Sequence, residues 1–175
     1  MFADAFDAEF AMTHHSALDF DLPDDAATRS LGASLAGILK PGLRIYLHGD
    51  LGAGKTTLVQ GLLAALGYRG RVKSPTYTLL ELYDISRLNL YHFDFYRFRD
   101  ENEWREAGFS DYFGGDGICL VEWPEKAGDD LPPPDIDITL DIHGNARRAH
   151  VLARSMAGIQ CCESLTRCSS PGKFS

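Results

Sequence analysis

Gly49-Asp50-Leu51-Gly52-Ala53-Gly54-Lys55-Thr56-Thr57 has the pattern G-x-x-x-x-G-K-T of a phosphate-binding loop. The motif carries weight only between a strand and a helix. Ile45-Tyr46-Leu47 supplies an apolar run before it, and Leu58, Val59, Leu62, Leu63 and Leu66 follow at helical spacing. A triphosphate must be wrapped by backbone N–H groups at a helix N-terminus, where the macrodipole also favours negative charge. Gly49, Gly52 and Gly54 let the chain turn that tightly, with Asp50, Leu51 and Ala53 as the intervening loop positions. Lys55 is expected to reach the β- and γ-phosphates, Thr56 to ligate Mg²⁺ through its hydroxyl, and Thr57 to bond the α-phosphate.

Outward from the loop, 175 residues suffice for one hydrophobic core, and 45% hydrophobic against 24% charged residues is an ordinary globular balance. No apolar run approaches the ~18 residues of a membrane span, and acids at Met1–Asp7 replace the basic start of a signal peptide. The expectation is a cytoplasmic protein without a membrane partner. Cys119, Cys161, Cys162 and Cys168 show neither metal-ligand spacing nor a disulfide framework, so free thiols are expected. A formal charge of −8 gives no electrostatic footprint for tight nucleic-acid binding.

In chain order, residues 1–15 show no period and read as a flexible leader, and 16–154 form the domain. Leu18, Phe20 and Leu22 alternate as a strand; Pro23-Asp24-Asp25 opens a helix with Leu31, Leu35 and Ile38 as its apolar stripe. Ser74-Pro75-Thr76-Tyr77-Thr78 is a hydroxyl-rich loop, positioned like a segment that senses a γ-phosphate. Leu79–Tyr83 and Leu88–Phe93 read as an antiparallel hairpin. Period two then places His92, Asp94 and Tyr96 on one face and Tyr91, Phe93 and Phe95 on the other. Glu101 to Phe113 is helical in composition, and Ile118–Val121 is a strand buried on both faces. Ile136 to Ile142 and Ala149 to Ala153 form a last hairpin around His143-Gly144-Asn145. The Ser- and Cys-rich segment 155–175 is expected to be disordered. The fold class is therefore α/β: one phosphate-loop domain whose mixed sheet, with antiparallel hairpins, is flanked by helices.

Glu122, directly after the buried strand, stands where a Walker B carboxylate belongs, and Thr56 with Glu122 is the expected metal pair. Asp94 either holds the metal through water, orients the attacking water, or makes a plain ion pair with Arg97 or Arg99. The alternative for Glu122 is a pair with Lys126 or a solvated face, and Trp123 either packs in the core or faces a nucleotide or a partner. His92 fits a hydrogen-bonded strand histidine as well as a catalytic one. The candidate catalytic set is Lys55, Asp94 and Glu122.

G-D-L-G-A-G-K-T-T, S-P-T-Y-T-L, Y-H-F-D-F-Y-R and L-V-E-W-P-E-K, in this order, resemble the TsaE (YjeE) family, bacterial ATPases of tRNA threonylcarbamoyladenosine synthesis. The resemblance covers about Asp19 to Ala153. It implies ATP and Mg²⁺ as cofactors, TsaB and TsaD as protein partners, and contact with tRNA only through that assembly. It further implies that Lys55 and Thr56 serve nucleotide and metal, that Glu122 is the Mg²⁺ ligand, that Asp94 is essential, and that Thr28 lies near the adenine. Two other classes share the loop: a nucleotide-dependent switch without turnover, and a small-molecule kinase using Arg97, Arg99 or Arg105 as a lid.

Overall fold

The computed structural model describes residues 17–169, with side chains as far as Arg167; the leader expected over 1–15 lies outside them. Alternating or wholly apolar runs give seven strands: β1 (Ala17–Leu22), β2 (Arg44–His48), β3 (Leu80–Ile85), β4 (Leu88–Asp94), β5 (Ile118–Glu122), β6 (Ile136–His143) and β7 (Ala146–Ala153). They form one sheet in the order β1-β7-β6-β2-β5-β4-β3. β2 runs parallel to both β5 and β6, and β4 parallel to β5, while β1–β7, β6–β7 and β3–β4 pair antiparallel. The mixed α/β sheet read from the sequence is the one found.

Helix α1 (Asp25–Ala36) starts where the acids announced it, with the Asp24 carboxylate accepting the Ala27 N–H at 2.8 Å. Helix α2 (Lys55–Ala65) carries the last three residues of the loop, Lys55, Thr56 and Thr57. The two helices touch backbone to backbone through a reciprocal pair of glycines. A Cβ at Gly32 would lie 2.1 Å from the Leu58 carbonyl oxygen, and one at Gly61 would lie 2.1 Å from that of Arg29. Leu31, Leu35, Leu58 and Leu62 then fill one face of the sheet against Ile45, Leu47, Ile138 and Val151.

The opposite face of β2, β5 and β4 is covered by an aromatic cluster that includes Tyr46, Phe93, Phe95, Phe98, Trp104 and Phe113. Phe95 stacks on Phe98 at 4.8 Å and Phe93 on Phe113 at 5.2 Å. Burial on both faces explains why β5 reads as an unbroken apolar run.

Two expectations change. The helix expected from Glu101 to Phe113 is one short turn, α3 (Glu103–Glu106), and a 3₁₀ segment (Phe109–Gly114), parted at Gly108 with φ +76°. The break lets Trp104 and Phe113 turn into the same cluster. Part of the segment expected to be disordered, 155–175, is helix α4 (Met156–Ser169). Ser155 Oγ accepts the Gly158 N–H and donates to Asp135 at 2.6 Å, which fixes its start. Ile159, Cys161, Cys162 and Leu165 are buried against the core. Two buried cysteines acting as small hydrophobes made an apolar stripe look polar. Cys119, Cys161 and Cys162 are free thiols, as read from the sequence. No helix among the described residues is long and apolar enough to cross a membrane.

Deleting residues 156–175 should therefore lower the unfolding free energy by about 3 kcal/mol or more, since four core side chains lose their burial at roughly 1.5 kcal/mol or more each. Urea denaturation followed by circular dichroism checks this; an unchanged midpoint would contradict the packing described for α4.

Candidate functional site

The loop between β2 and α2 has the geometry its composition required. Gly49 has φ +136°, and a Cβ there would come 2.5 Å from the Leu140 carbonyl oxygen, so no side chain fits. Helix α2 begins at Gly54 with no side-chain cap, which leaves its N-terminal end facing the cleft. The cleft, about 260 Å³, is lined by the loop, by Thr56 and Thr57, by Ser74 and Thr76, and by Asp94, Glu122 and Trp123. All candidate catalytic and metal residues read from the sequence meet there.

Sheet register sets the carboxylates. Asp94 and Glu122 are paired neighbours at the C-terminal ends of parallel strands β4 and β5, and Glu122 is also level with Leu47 of β2. The Thr56 hydroxyl donates to Glu122 Oε1 at 3.2 Å, and His92 Nε2 lies 2.8 Å from the same oxygen. Lys126 is not Glu122's partner in this arrangement. Asp94 Oδ2 accepts the Ser74 and Thr76 hydroxyls, both at 2.6 Å, while Oδ1 accepts the Tyr96 N–H at 2.9 Å. The ion-pair alternative for Asp94 thus gives way to hydroxyl partners, with Arg97 lying over the Tyr77 ring. Oxygen donors from one hydroxyl and one or two carboxylates suit Mg²⁺, which keeps several waters and takes few protein ligands.

Lys55 is buried, only 5% exposed, and donates to the carbonyls of Gly49 and Asp50. Burial pushes its ammonium pKa down, opposed by the charges of Glu122, Asp94, Glu125 and Asp50. Its Nζ sits 4.2 Å from the centre of the Trp123 ring, and the Tyr96 ring packs tilted against that ring with centroids 5.1 Å apart. Trp123 therefore lines the cleft and does not pack solely in the core. Among the described residues three non-glycine residues have positive φ; Ser86 is the β3–β4 turn, whereas Leu79 (66°), whose carbonyl accepts the Asp94 N–H, and Trp123 (59°) border the site. Strain of this kind concentrates where a side chain must be aimed. Thr28 is buried behind the loop, its hydroxyl 3.3 Å from the Asp24 carbonyl and its methyl facing Gly54. It is not among the residues lining the cleft.

Two contributors were invisible in the sequence. Arg147 of β7 donates to the carbonyls of Ala53 at 3.2 Å and Gly52 at 3.1 Å, bracing the loop from outside. His48, just before Gly49, bridges Asp137 at 2.7 Å and Glu125 at 3.7 Å, and Arg154 holds the far oxygen of Asp137. Neither residue belongs to a motif, and both act across more than seventy positions of chain. Burial alone would lower the His48 pKa, but hydrogen bonds and charges from Asp137 and Glu125 outweigh it and raise the value to about 9.

Loop, strand-end carboxylates and α/β sheet together define a phosphate-loop domain of the nucleotide-binding class. A family model described as "Threonylcarbamoyl adenosine biosynthesis protein TsaE" matches residues 22–150. The chain is 44% identical over 142 residues to the tRNA threonylcarbamoyladenosine biosynthesis protein TsaE of Haemophilus influenzae, covering 78% of this chain and 90% of that protein. It is 40% identical over 121 residues to the TsaE of Bacillus subtilis, covering 69% and 75%. The crystal structure of Bacillus subtilis YdiB superposes with a TM-score of 0.76 at 31% identity, over 88% of this chain and 97% of that one. The chain belongs to the TsaE family.

The His48 bridge makes a pH prediction. A histidine pKa raised by folding stabilises the native state fully below the unfolded value near 6.5, and the contribution is lost as pH rises through about 9. The stability gap between wild type and His48→Asn, measured by chemical denaturation, should be large at pH 6 and shrink by pH 10. An equal gap at both pH values would contradict the bridge.

Proposed function

We propose that this chain is a Mg²⁺-dependent ATPase of tRNA threonylcarbamoyladenosine synthesis, hydrolysing ATP to ADP and phosphate to reset a TsaB/TsaD transferase complex in the cytoplasm. The observation that carries the reading is the convergence of Thr56 Oγ1 and Glu122 Oε1, 3.2 Å apart, beside Asp94 at the mouth of the phosphate loop. The names of the relatives place them in the same modification.

In this reading Lys55 exchanges the Gly49 and Asp50 carbonyls for the β- and γ-phosphates, and the first turn of α2 holds them through its N–H groups. Thr56 and Glu122 hold the Mg²⁺, which when bound neutralises charge developing on the phosphate oxygens. Asp94 orients the attacking water, held in place by Ser74 and Thr76. Its Oδ2 already accepts two hydroxyls, so water competes for it, which favours a slow basal rate. None of the arginines offered as a lid lines the cleft: Arg97 covers Tyr77 and Arg105 pairs with Asp130 at 2.6 Å. That argues against the kinase reading and for a transition-state group supplied by a partner, worth 10³-fold or more, on the order of 4 kcal/mol. With 25 acids against 17 bases, contact with tRNA is indirect.

Phosphate release measured alone and with TsaB and TsaD tests the proposal. The isolated chain should be slow and the assembly faster, with no phosphate passed to a metabolite mixture. Lys55→Ala should lose ATP binding, and Glu122→Ala should keep nucleotide but lose Mg²⁺-dependent turnover. Full activity without partners, or turnover retained in both variants, would overturn it.

A further inference from the structure

We infer that His92 is a positioning residue for the metal site, its Nε2–H fixing the Glu122 carboxylate in the orientation that Thr56 and the metal require. The inference rests on the reading of Glu122 as a metal ligand. His92 stands on β4 two residues before Asp94, and its ring reaches across to Glu122 on the neighbouring strand. The His92 ring is wholly buried, and the Glu122 side chain is 4% exposed, meeting solvent only where it lines the cleft. Such a pair is expensive relative to apolar residues of the same volume, and is weak evidence for stability as such. A role at the site accounts for it.

The hydrogen-bond pattern fixes the direction of the interaction. His92 Nδ1 is buried and has no hydrogen-bond partner among the described residues. An acceptor nitrogen is cheaper to leave unmatched than a buried N–H, so the network assigns the proton to Nε2, 2.8 Å from Glu122 Oε1. That same oxygen accepts the Thr56 hydroxyl at 3.2 Å. Two donors thus occupy one carboxylate oxygen from the strand side and the loop side. The rotation of the carboxyl plane is fixed before any ligand arrives, and Oε2 remains for the metal or one of its waters. Hydrogen-bond partners of a ligating carboxylate commonly carry 10–100-fold of metal affinity.

The test is calorimetric titration of ADP into the full chain, in EDTA and across a Mg²⁺ series, for wild type, His92→Phe, His92→Gln and Glu122→Gln. His92→Phe should raise the Mg²⁺ concentration for half-maximal metal-dependent binding by ~10–100-fold while leaving metal-free ADP affinity within about twofold. His92→Gln, which can still present an N–H, should recover most of that loss. A merely structural histidine would alter folding stability or both affinities together. If Glu122→Gln leaves the Mg²⁺ dependence unchanged, the ligand reading itself fails. If Glu122→Gln shifts it and a folded His92→Phe does not, the positioning role alone is wrong. Should His92→Phe not fold, His92→Asn and His92→Gln decide the matter. The longer amide should keep Mg²⁺ dependence and the shorter one lose it, and equal behaviour would overturn the inference.

Discussion

The parallel register of β2, β4 and β5 is the constraint on which the site depends. It sets Leu47, Glu122 and Asp94 level along the edge formed by the C-terminal ends of these three interior strands, so the loop leaving β2 emerges beside two acids from strands more than forty residues later in the chain. That register is held by burial on both faces: aliphatic side chains under α1 and α2, and an aromatic layer over Phe93 and Val121. A slip by one residue would turn Asp94 and Glu122 into the aromatic layer. The acids are therefore as fixed as the core itself.

Around that edge the polar groups are matched in pairs. Glu122 takes Thr56 and His92, Asp94 takes Ser74 and Thr76, and Lys55 takes loop carbonyls under the Trp123 ring. In the proposed function a nucleotide draws Lys55 away from those carbonyls and meets side chains already oriented, which is the preorganisation that electrostatic catalysis needs. Trp123 and Leu79, both in the left-handed region, mark where the backbone bends to deliver these groups.

Much of this was legible because its signals are local. A glycine-rich loop between an apolar run and a helical stripe, period two from His92 to Tyr96, and an unbroken apolar run ending in Glu122 each report one element and one face. What could not be read depends on distant contacts. Arg147 braces the loop from a strand more than ninety residues away, and nothing in its neighbours marks it. The stretch from Glu101 to Phe113 has helical composition, but its aromatics pack as two short turns around Phe93 and Phe95. Helix α4 was hidden because Cys161 and Cys162 read as polar punctuation and serve as core. The burial of Lys55 has a similar cause: only the fold brings Trp123 over it.

The most direct test of the central claim is a crystal structure of the full chain with Mg²⁺ and a non-hydrolysable ATP analogue. The metal is expected about 2.1 Å from Thr56 Oγ1, with Glu122 Oε2 holding it directly or through one of its waters, and Lys55 moved from the Gly49 and Asp50 carbonyls to the phosphates. A nucleotide bound outside the loop, or a metal bound with Glu122 still engaged only by His92 and Thr56, would contradict it.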